Sequence, residues 1–479
     1  MPYLYTIIGY LILLLTVGVL LSKKIKNRED FLVAGRSLTA PILAGTLLAT
    51  WIGSGDIFSV ADLSYNHGYT SLIGSAGGWV GFILVFFIAA RVRKFEQFTV
   101  PDILEVRYNK WARILATLTT IVAYVTIVSY QFRGGGWIIN IISGGKISTN
   151  TAMLYMAGFV ILYTMTAGML SVAYLDLING IIIISGVFIA LPFLIKTGGG
   201  ISTIAENVTP RAHPILGNMT LITALGYFVP TMLLALANGN MYQRFFSAKN
   251  EKEAKKSVFI FLIGVIILGV GMQSLAVIGS SIFKGLSTNE SGKIILKVAH
   301  EGVPVAIGCI LMASIVAIVI STANSFLLVP ATNIMRDIVQ RFIKPDISDK
   351  GMVIGSRVSL IVLGALAYFL IGFYPRILKA AYAAYTIYGA GLTPALIATF
   401  FWKRATAQAG AVSILAGMVI TIFWEIATKI TGDQFLRIPA IYPALFSSLF
   451  LLIVISYLTP KPDKSKWNQF MKDKAKTRT

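Results

Sequence analysis

The chain has a single cysteine, Cys309, which excludes an intrachain disulfide and any cysteine-built metal cluster. Its three histidines, His67, His213 and His300, are scattered without zinc-ligand spacing. Charge is scarce at 13% of 479 residues, and the acidic share is smallest, with 20 Asp and Glu against 41 Lys and Arg. No soluble globular class has such values. A phosphate-binding loop is also missing. The nearest candidate, Gly144-Gly145-Lys146, lacks the upstream glycine and the following Ser or Thr, so nothing points to ATP-driven transport. No His/Asp/Ser grouping lies within the apolar runs, and an enzyme is not expected.

What the chain has instead is hydrophobicity: 56% of residues are apolar or aromatic, with mean hydropathy +0.77. Long apolar runs recur from end to end, the mark of an all-α polytopic membrane protein. Thirteen spans are predicted: 3–21, 40–65, 69–90, 112–143, 150–170, 171–195, 219–241, 257–282, 303–329, 352–374, 377–402, 407–430 and 440–459. The first has no basic leader and no small-residue cleavage site, so it reads as a retained span rather than a signal peptide. Assigned to alternate sides, 30 Lys and Arg fall on one side and 10 on the other, with Arg133 inside a span. By the positive-inside rule the N-terminus is outside and the C-terminus cytoplasmic in a cell membrane. The same placement argues against a nucleic-acid partner, and the basic tail 459–479 reads as an orientation signal beside anionic lipid.

Spans two to six and seven to eleven form two groups of five. An odd number per group gives the second group opposite topology, the arithmetic of an inverted repeat. The expected division is 1–39 (an extra span and cytoplasmic loop), 40–195 (first repeat), 196–218 (external loop), 219–402 (second repeat) and 403–479 (two further spans and the basic tail). Segment 283–302 is expected to be a second solvated external loop. Thr99-Val100-Pro101-Asp102 marks the start of a short surface helix.

Polar residues inside apolar spans mark function, because lipid offers them no partners. Ala49-Thr50-Trp51-Ile52-Gly53-Ser54-Gly55-Asp56 breaks span two with glycine and adds a carboxylate. Its unwound carbonyls near Ala49 and Ile52 are free to face a cation. Gly226-Tyr227-Phe228-Val229-Pro230 invites a break at the corresponding place in span seven. Span nine carries Ser321, Thr322, Asn324 and Ser325 together; neutral hydroxyl and carbonyl oxygens suit a hard cation. Asp176 is read either as an interfacial carboxylate or as a cation partner. Arg133 needs a carboxylate or carbonyl partner, with Asp56 and Asp62 as candidates by depth. Glu425 is read as packing-related or near the surface.

At these residues the chain resembles the sodium:solute symporter family. The marks are 31–38 (FLVAGRSL), 49–58 (ATWIGSGDIF), 65–69 (YNHGY), 98–108 (FTVPDILEVRY), 166–180 (TAGMLSVAYLDLING), 241–249 (MYQRFFSAK) and 320–338 (ISTANSFLLVPATNIMRDI). The resemblance implies a leucine-transporter-like core of two inverted five-helix repeats. It also implies a sodium site on Ala49, Ile52, Ile318, Ser321 and Thr322. A second cation site at Asp176 and Ser325 is implied for some members, but Asn324 stands where such members carry serine. Asp56 stands where sugar and iodide carriers have glutamine, and Thr231, Leu234 and Ala235 where sugar carriers have an amide and aromatics. A sugar is therefore disfavoured, and Asp56, Arg133, Thr231 and Leu234 are candidates for an amino-acid, amine or carboxylate pocket. The expected protein is a monomeric symporter with sodium as coupling ion, no further cofactor, and the solute, sodium and lipid as partners. Proton coupling on the same fold is the alternative.

Overall fold

The computed structural model describes residues 2–22, 28–95, 97–166, 168–208, 216–287, 290–374, 376–432 and 437–471. His213, part of the segment 196–218 and the tail beyond 471 lie outside them. The described residues are helical throughout their ordered elements. The principal helices are α1 (Pro2–Ser22), α2 (Ala40–Trp51), α3 (Val60–His67), α4 (Leu72–Phe86), α5 (Val100–Arg107), α6 (Lys110–Ile142), α7 (Thr149–Thr166), α8 (Met169–Thr197), α9 (Leu221–Ala237), α10 (Gly239–Ser247), α11 (Glu251–Ile282), α12 (Val305–Asn333), α13 (Asp349–Leu370), α14 (Ile377–Phe401), α15 (Ala407–Thr431) and α16 (Ile441–Leu458).

Helix starts follow local chemistry. Asn109, Asn250 and Thr99 each accept a hydrogen bond from an orphan N–H of the first turn, from Ala112, Glu253 and Asp102 respectively. Pro41 and Pro101 occupy first-turn positions, where a missing N–H costs nothing. The expected short helix is thus α5, but it is packed into the protein rather than lying on its surface, with Val100, Pro101, Asp102, Ile103, Leu104 and Arg107 buried.

Among the described residues, eleven segments are long and apolar enough to cross a membrane, rather than thirteen. Two causes account for the difference. The break after Trp51 leaves α2 only 12 residues long, while the chain from Gly55 to Phe86 runs on as one helical segment. Helix α7 has threonines at both ends and Asn150, which dilute its hydropathy.

Two further expectations are corrected. Span seven does not break at Pro230: α9 continues through it and ends at Asn238, whose backbone turns to φ −54°, ψ 112°. The segment 283–302 is no simple solvated loop, since Ile294, Ile295, Leu296 and Val298 are buried there and Ser291 Oγ donates to Asp62 (2.6 Å).

Glycine sets the closest helix approaches. A Cβ at Gly77 of α4 would collide with the Phe228 carbonyl of α9, and one at Gly417 of α15 with the Ala390 carbonyl of α14. With lipid as apolar as the side chains, such close backbone contact is what drives helix association.

Candidate functional site

The site begins where α2 ends. Ile52 leaves the helix (φ −75°, ψ 113°), and the chain re-enters a wide helical turn only at Gly55. The freed groups find side-chain partners. Ser54 N–H donates to Gln131 Oε1 (3.0 Å), and Gly53 N–H donates to Asp56 Oδ2 (3.1 Å). Gly53 has no room for a side chain, because a Cβ there would press on Gln131 and Thr322.

Helix α12 crosses this break. Ser321 Oγ donates to Ala49 O (2.7 Å) and lies 3.2 Å from Ile318 O. Thr322 Oγ1 donates to Ile52 O (2.9 Å) and approaches Thr50 O (3.2 Å). Ala49, Ile52, Ile318, Ser321 and Thr322 are all buried, and the adjacent Ser321 and Thr322 hydroxyls each hold carbonyls of the break, at Ala49 and Ile52. This is a neutral, oxygen-only cluster at the meeting of a fractured helix and a hydroxyl-bearing one. Hydroxyl hydrogens rotate freely, so both side chains can turn their lone pairs toward a guest cation.

Beside it runs a narrow cleft. Asp56, Trp51, Tyr130, Gln131, Tyr382, Tyr385 and Phe326 line it, as do the expected Thr231 and Leu234. Ala235, which stands where sugar carriers have a pocket residue, is buried where α9 meets α4. Gly55 makes space for the Tyr385 hydroxyl, which a Cβ there would exclude. Gln131 Nε2 is buried and has no hydrogen-bond partner among the described residues. Sequence reasoning did not select Gln131, Tyr130 or Tyr385; the amide of Gln131 inside an apolar span was the available signal, whereas tyrosines are common in such helices and carry none.

Arg133 lies apart from this cleft. Its guanidinium donates to the Ile371 carbonyl, and it lines a small crevice with Tyr374 and Arg376. No ion pair joins it to Asp56 or Asp62. Asp62 instead pairs with Arg376. Glu425 faces an outer crevice with Trp424, Lys379 and Arg437, which Tyr382 and Tyr227 separate from the central cleft.

Asp176 is not solvated. It is 1% exposed, and its Oδ2 accepts from Thr46 Oγ1 (2.7 Å), Thr50 Oγ1 (3.2 Å) and Arg244 Nη2 (3.2 Å). Ser325 is there too, with its Oγ 3.0 Å from Thr50 Oγ1. Sequence reasoning missed Arg244, placing it among the cytoplasmic loop charges after span seven. The structure puts it on α10, a nine-residue helix that is buried throughout. The signal was Asn238-Gly239, a turn dipeptide within an apolar run. Asn238 Oδ1 caps Met241 N–H (3.2 Å), the Tyr124 hydroxyl accepts from Gly239 N–H (2.8 Å), and the Tyr388 hydroxyl donates to Ala237 O (2.9 Å). The molecule therefore has two broken helices, α2–α3 and α9–α10, tied together by Arg244.

Comparison with known proteins identifies the family and the fold. The Sodium:solute symporter family profile matches residues 31–420. The chain is 24% identical to the high-affinity proline transporter PutP of Bacillus subtilis, over 95% of this chain and 98% of that one. It is 25% identical to the sodium/proline symporter of Haemophilus influenzae, covering 98% and 97% respectively. A solved substrate-bound, outward-open Na+-coupled sialic acid symporter superimposes with TM-score 0.80 at 18% identity, covering 97% of this chain and 98% of that one. The nucleobase-cation-symport-1 transporter Mhp1, closed on a bound hydantoin, superimposes with TM-score 0.63 at 10% identity, covering 92% and 97%. These likenesses give the leucine-transporter-like fold. The chain belongs to the sodium:solute symporter family, a family of membrane transporters rather than enzymes.

Proposed function

We propose that this protein is a sodium-coupled symporter that imports a small zwitterionic amino acid of the proline class. The observation that carries the reading is the crossing of α2 and α12, where Ala49, Ile52 and Ile318 carbonyls meet the Ser321 and Thr322 hydroxyls. Five neutral oxygens can replace the water of a hard monovalent cation without adding excess charge. Sodium bound there clamps the broken turn, and that turn also carries Asp56 into the solute cleft. Ion and solute sites therefore share one segment, which is what coupling requires.

The solute assignment rests on complementary ends. Asp56, set among Trp51, Tyr130 and Tyr385, suits a substrate ammonium: a carboxylate neutralises it, and aromatic faces attract cations. The unpartnered Gln131 Nε2 is a donor for the opposite, carboxylate end. Thr231 and Leu234 offer an apolar wall, too poor in donors for a polyol. The names of the proline-transporting relatives agree with this chemistry. The reading includes an outside N-terminus and cytoplasmic C-terminus, repeats at 40–195 and 219–402 that rock against each other, and function as a monomer.

The test is uptake of labelled L-proline into proteoliposomes. An inward sodium gradient should drive transient accumulation that a sodium ionophore abolishes. Accumulation driven by a pH gradient and indifferent to sodium would reject the reading in favour of proton coupling. Should L-proline not be taken up at all, a thermal-shift screen of amino acids and amines with and without sodium identifies the solute, because stabilisation grows with ligand occupancy.

A further inference from the structure

Two guanidinium groups meet at the turn between α14 and α15, on the face that charge asymmetry assigns to the cytoplasm. Arg107, at the end of α5, is 1% exposed and donates from Nη2 to the Trp402 carbonyl (3.0 Å). Its Nε and Nη1 are buried and have no hydrogen-bond partner among the described residues. Arg404, in the same turn, donates from Nη2 to the Thr459 (2.8 Å) and Tyr457 (3.3 Å) carbonyls at the end of α16. Its Nη1 is likewise buried and unpartnered among the described residues.

Among those residues no ion pair reaches Arg107, Lys403 or Arg404. The other deeply buried arginines are matched: Arg113 by Asp102 and Asp337, and Arg244 by Asp176. A guanidinium stays charged at physiological pH, and burying it without a countercharge is costly. Burial accordingly draws Arg107 below its ordinary value, with neighbouring Tyr108 opposing. The turn is thus short of negative charge and holds donors ready for it.

Its surroundings indicate where the negative charge comes from. Phe401, Tyr457 and Leu458, at the ends of α14 and α16, are exposed apolar side chains on membrane-crossing helices. The Trp402 and Tyr457 rings lie 6.2 Å apart, and the Arg404 guanidinium lies 5.6 Å from the Tyr457 ring. Aromatic side chains of this kind mark the membrane–water boundary. Cations at that level, with exposed apolar surface beside them, match a molecule that is anionic at its head and apolar along its chains. A free anion would use only the cations.

We infer that this turn binds an anionic phospholipid, with the headgroup phosphate on Arg404 and Lys403, the net negative charge offsetting Arg107, and acyl chains along Phe401 and Tyr457. Basic pockets between membrane helices hold such headgroups, and the guanidinium fork suits a phosphate. The inference takes only the membrane orientation from the proposed function. The site is distinct from the basic tail, where Lys461 and Lys464 are exposed surface charges.

The test uses delipidated full-length protein in neutral detergent, without sodium or solute. Thermal unfolding is followed while phosphatidylglycerol is added. Phosphatidylcholine with the same chains, and glycerol 3-phosphate with none, are run in parallel. Phosphatidylglycerol should raise Tm saturably, and half-saturation should need about tenfold less of it than of phosphatidylcholine. Glycerol 3-phosphate should give no shift. Arg404→Gln and Arg107→Gln should each raise the half-saturating phosphatidylglycerol concentration at least about tenfold, the value of one lost charge-assisted contact. Lys461→Gln with Lys464→Gln should leave it unchanged. Half-saturation is read rather than basal Tm, because Arg404→Gln also gives up two carbonyl contacts. Equal response to phosphatidylcholine, or a native response in Arg404→Gln, would overturn the inference. A matching shift with glycerol 3-phosphate would replace the lipid with a free anion and overturn it too. If Arg107→Gln does not fold, Arg404→Gln and the lipid comparison still decide. Failure here leaves the proposed transport standing, since neither sodium nor solute enters the measurement.

Discussion

At the residue scale, the ion site and the solute site should separate under substitution. Ser321→Ala with Thr322→Ala removes two oxygen ligands but leaves the break and Asp56 in place. Each lost polar contact to a cation is worth about 1.5–3 kcal/mol, and 1.4 kcal/mol is about tenfold. The sodium concentration for half-maximal uptake should rise at least about tenfold while the protein still inserts. An unchanged sodium dependence in the proteoliposome assay would remove both residues from the site. Asp56→Asn should do the reverse, weakening solute affinity by about ten- to a hundredfold, the value of one charge-assisted contact. Sodium binding measured without solute should change far less.

These residues were legible in the sequence for a simple reason. Glycine, carboxylate and adjacent hydroxyls are conspicuous in an apolar run, because the membrane gives each of them a cost that must be answered. Arg244 was not legible. It stands shortly before the run Lys249, Lys252, Lys255 and Lys256, where another basic residue looks like an orientation charge. The partners of Arg133 and Asp62 were misjudged because depth along a helix does not fix azimuth. Arg133 turns to the Ile371 carbonyl, and Asp62 to Arg376.

At the element scale, the start of α6 is pinned by one arginine. Arg113 donates to Asp102 on α5, to Asp337 after α12 (2.6 Å) and to Glu105, which also receives Arg341 Nη2 (2.9 Å). Two neighbouring helices and a segment 224 residues further along thus share one cation. Arg113→Ala would leave Asp102 and Asp337 buried without it, a loss of about 3–5 kcal/mol by analogy with broken buried pairs. Thermal unfolding in detergent should show a large drop, and Arg113→Lys should not rescue it, since a lysine cannot fork to three carboxylates.

Glu105 gives the cluster a pH signature. Burial pushes its carboxyl up, but hydrogen bonds and charge from Arg341 and Arg113 outweigh burial and hold it below the ordinary value. A carboxyl lowered in the folded state adds stability above its unfolded value, and that stability is lost as pH falls through the lowered value. Glu105→Gln should therefore lower stability near neutrality, where the ionised carboxylate contributes, leave it unchanged in strong acid, and so flatten the acid limb. An acid limb identical to that of the native protein would show that Glu105 is not the group responsible. The Thr99 start of α5 and most helix limits were readable because their signals are local. The break in span seven was not, since Pro230 drew attention from Asn238-Gly239. In α9 the proline is accommodated and the helix continues past it.

At the scale of the whole molecule, the number of sodium ions per cycle fixes how steeply the protein can concentrate its solute. One positive charge moving inward down 100 mV releases about 2.3 kcal/mol, which sustains a solute ratio of roughly fifty. Two would sustain the square of that, above roughly two thousand. The difference is large enough to read from an end point, without resolving the kinetics. Proteoliposomes with equal sodium inside and outside, and a potassium diffusion potential of about 100 mV, inside negative, leave voltage as the sole drive. Labelled L-proline should then level off near fiftyfold and fall to unity when the potential is collapsed. The limit is that of a zwitterionic solute, which contributes no net charge. A plateau of several hundredfold or more would mean that a second ion crosses with the solute. The single-ion cycle would then have to be abandoned.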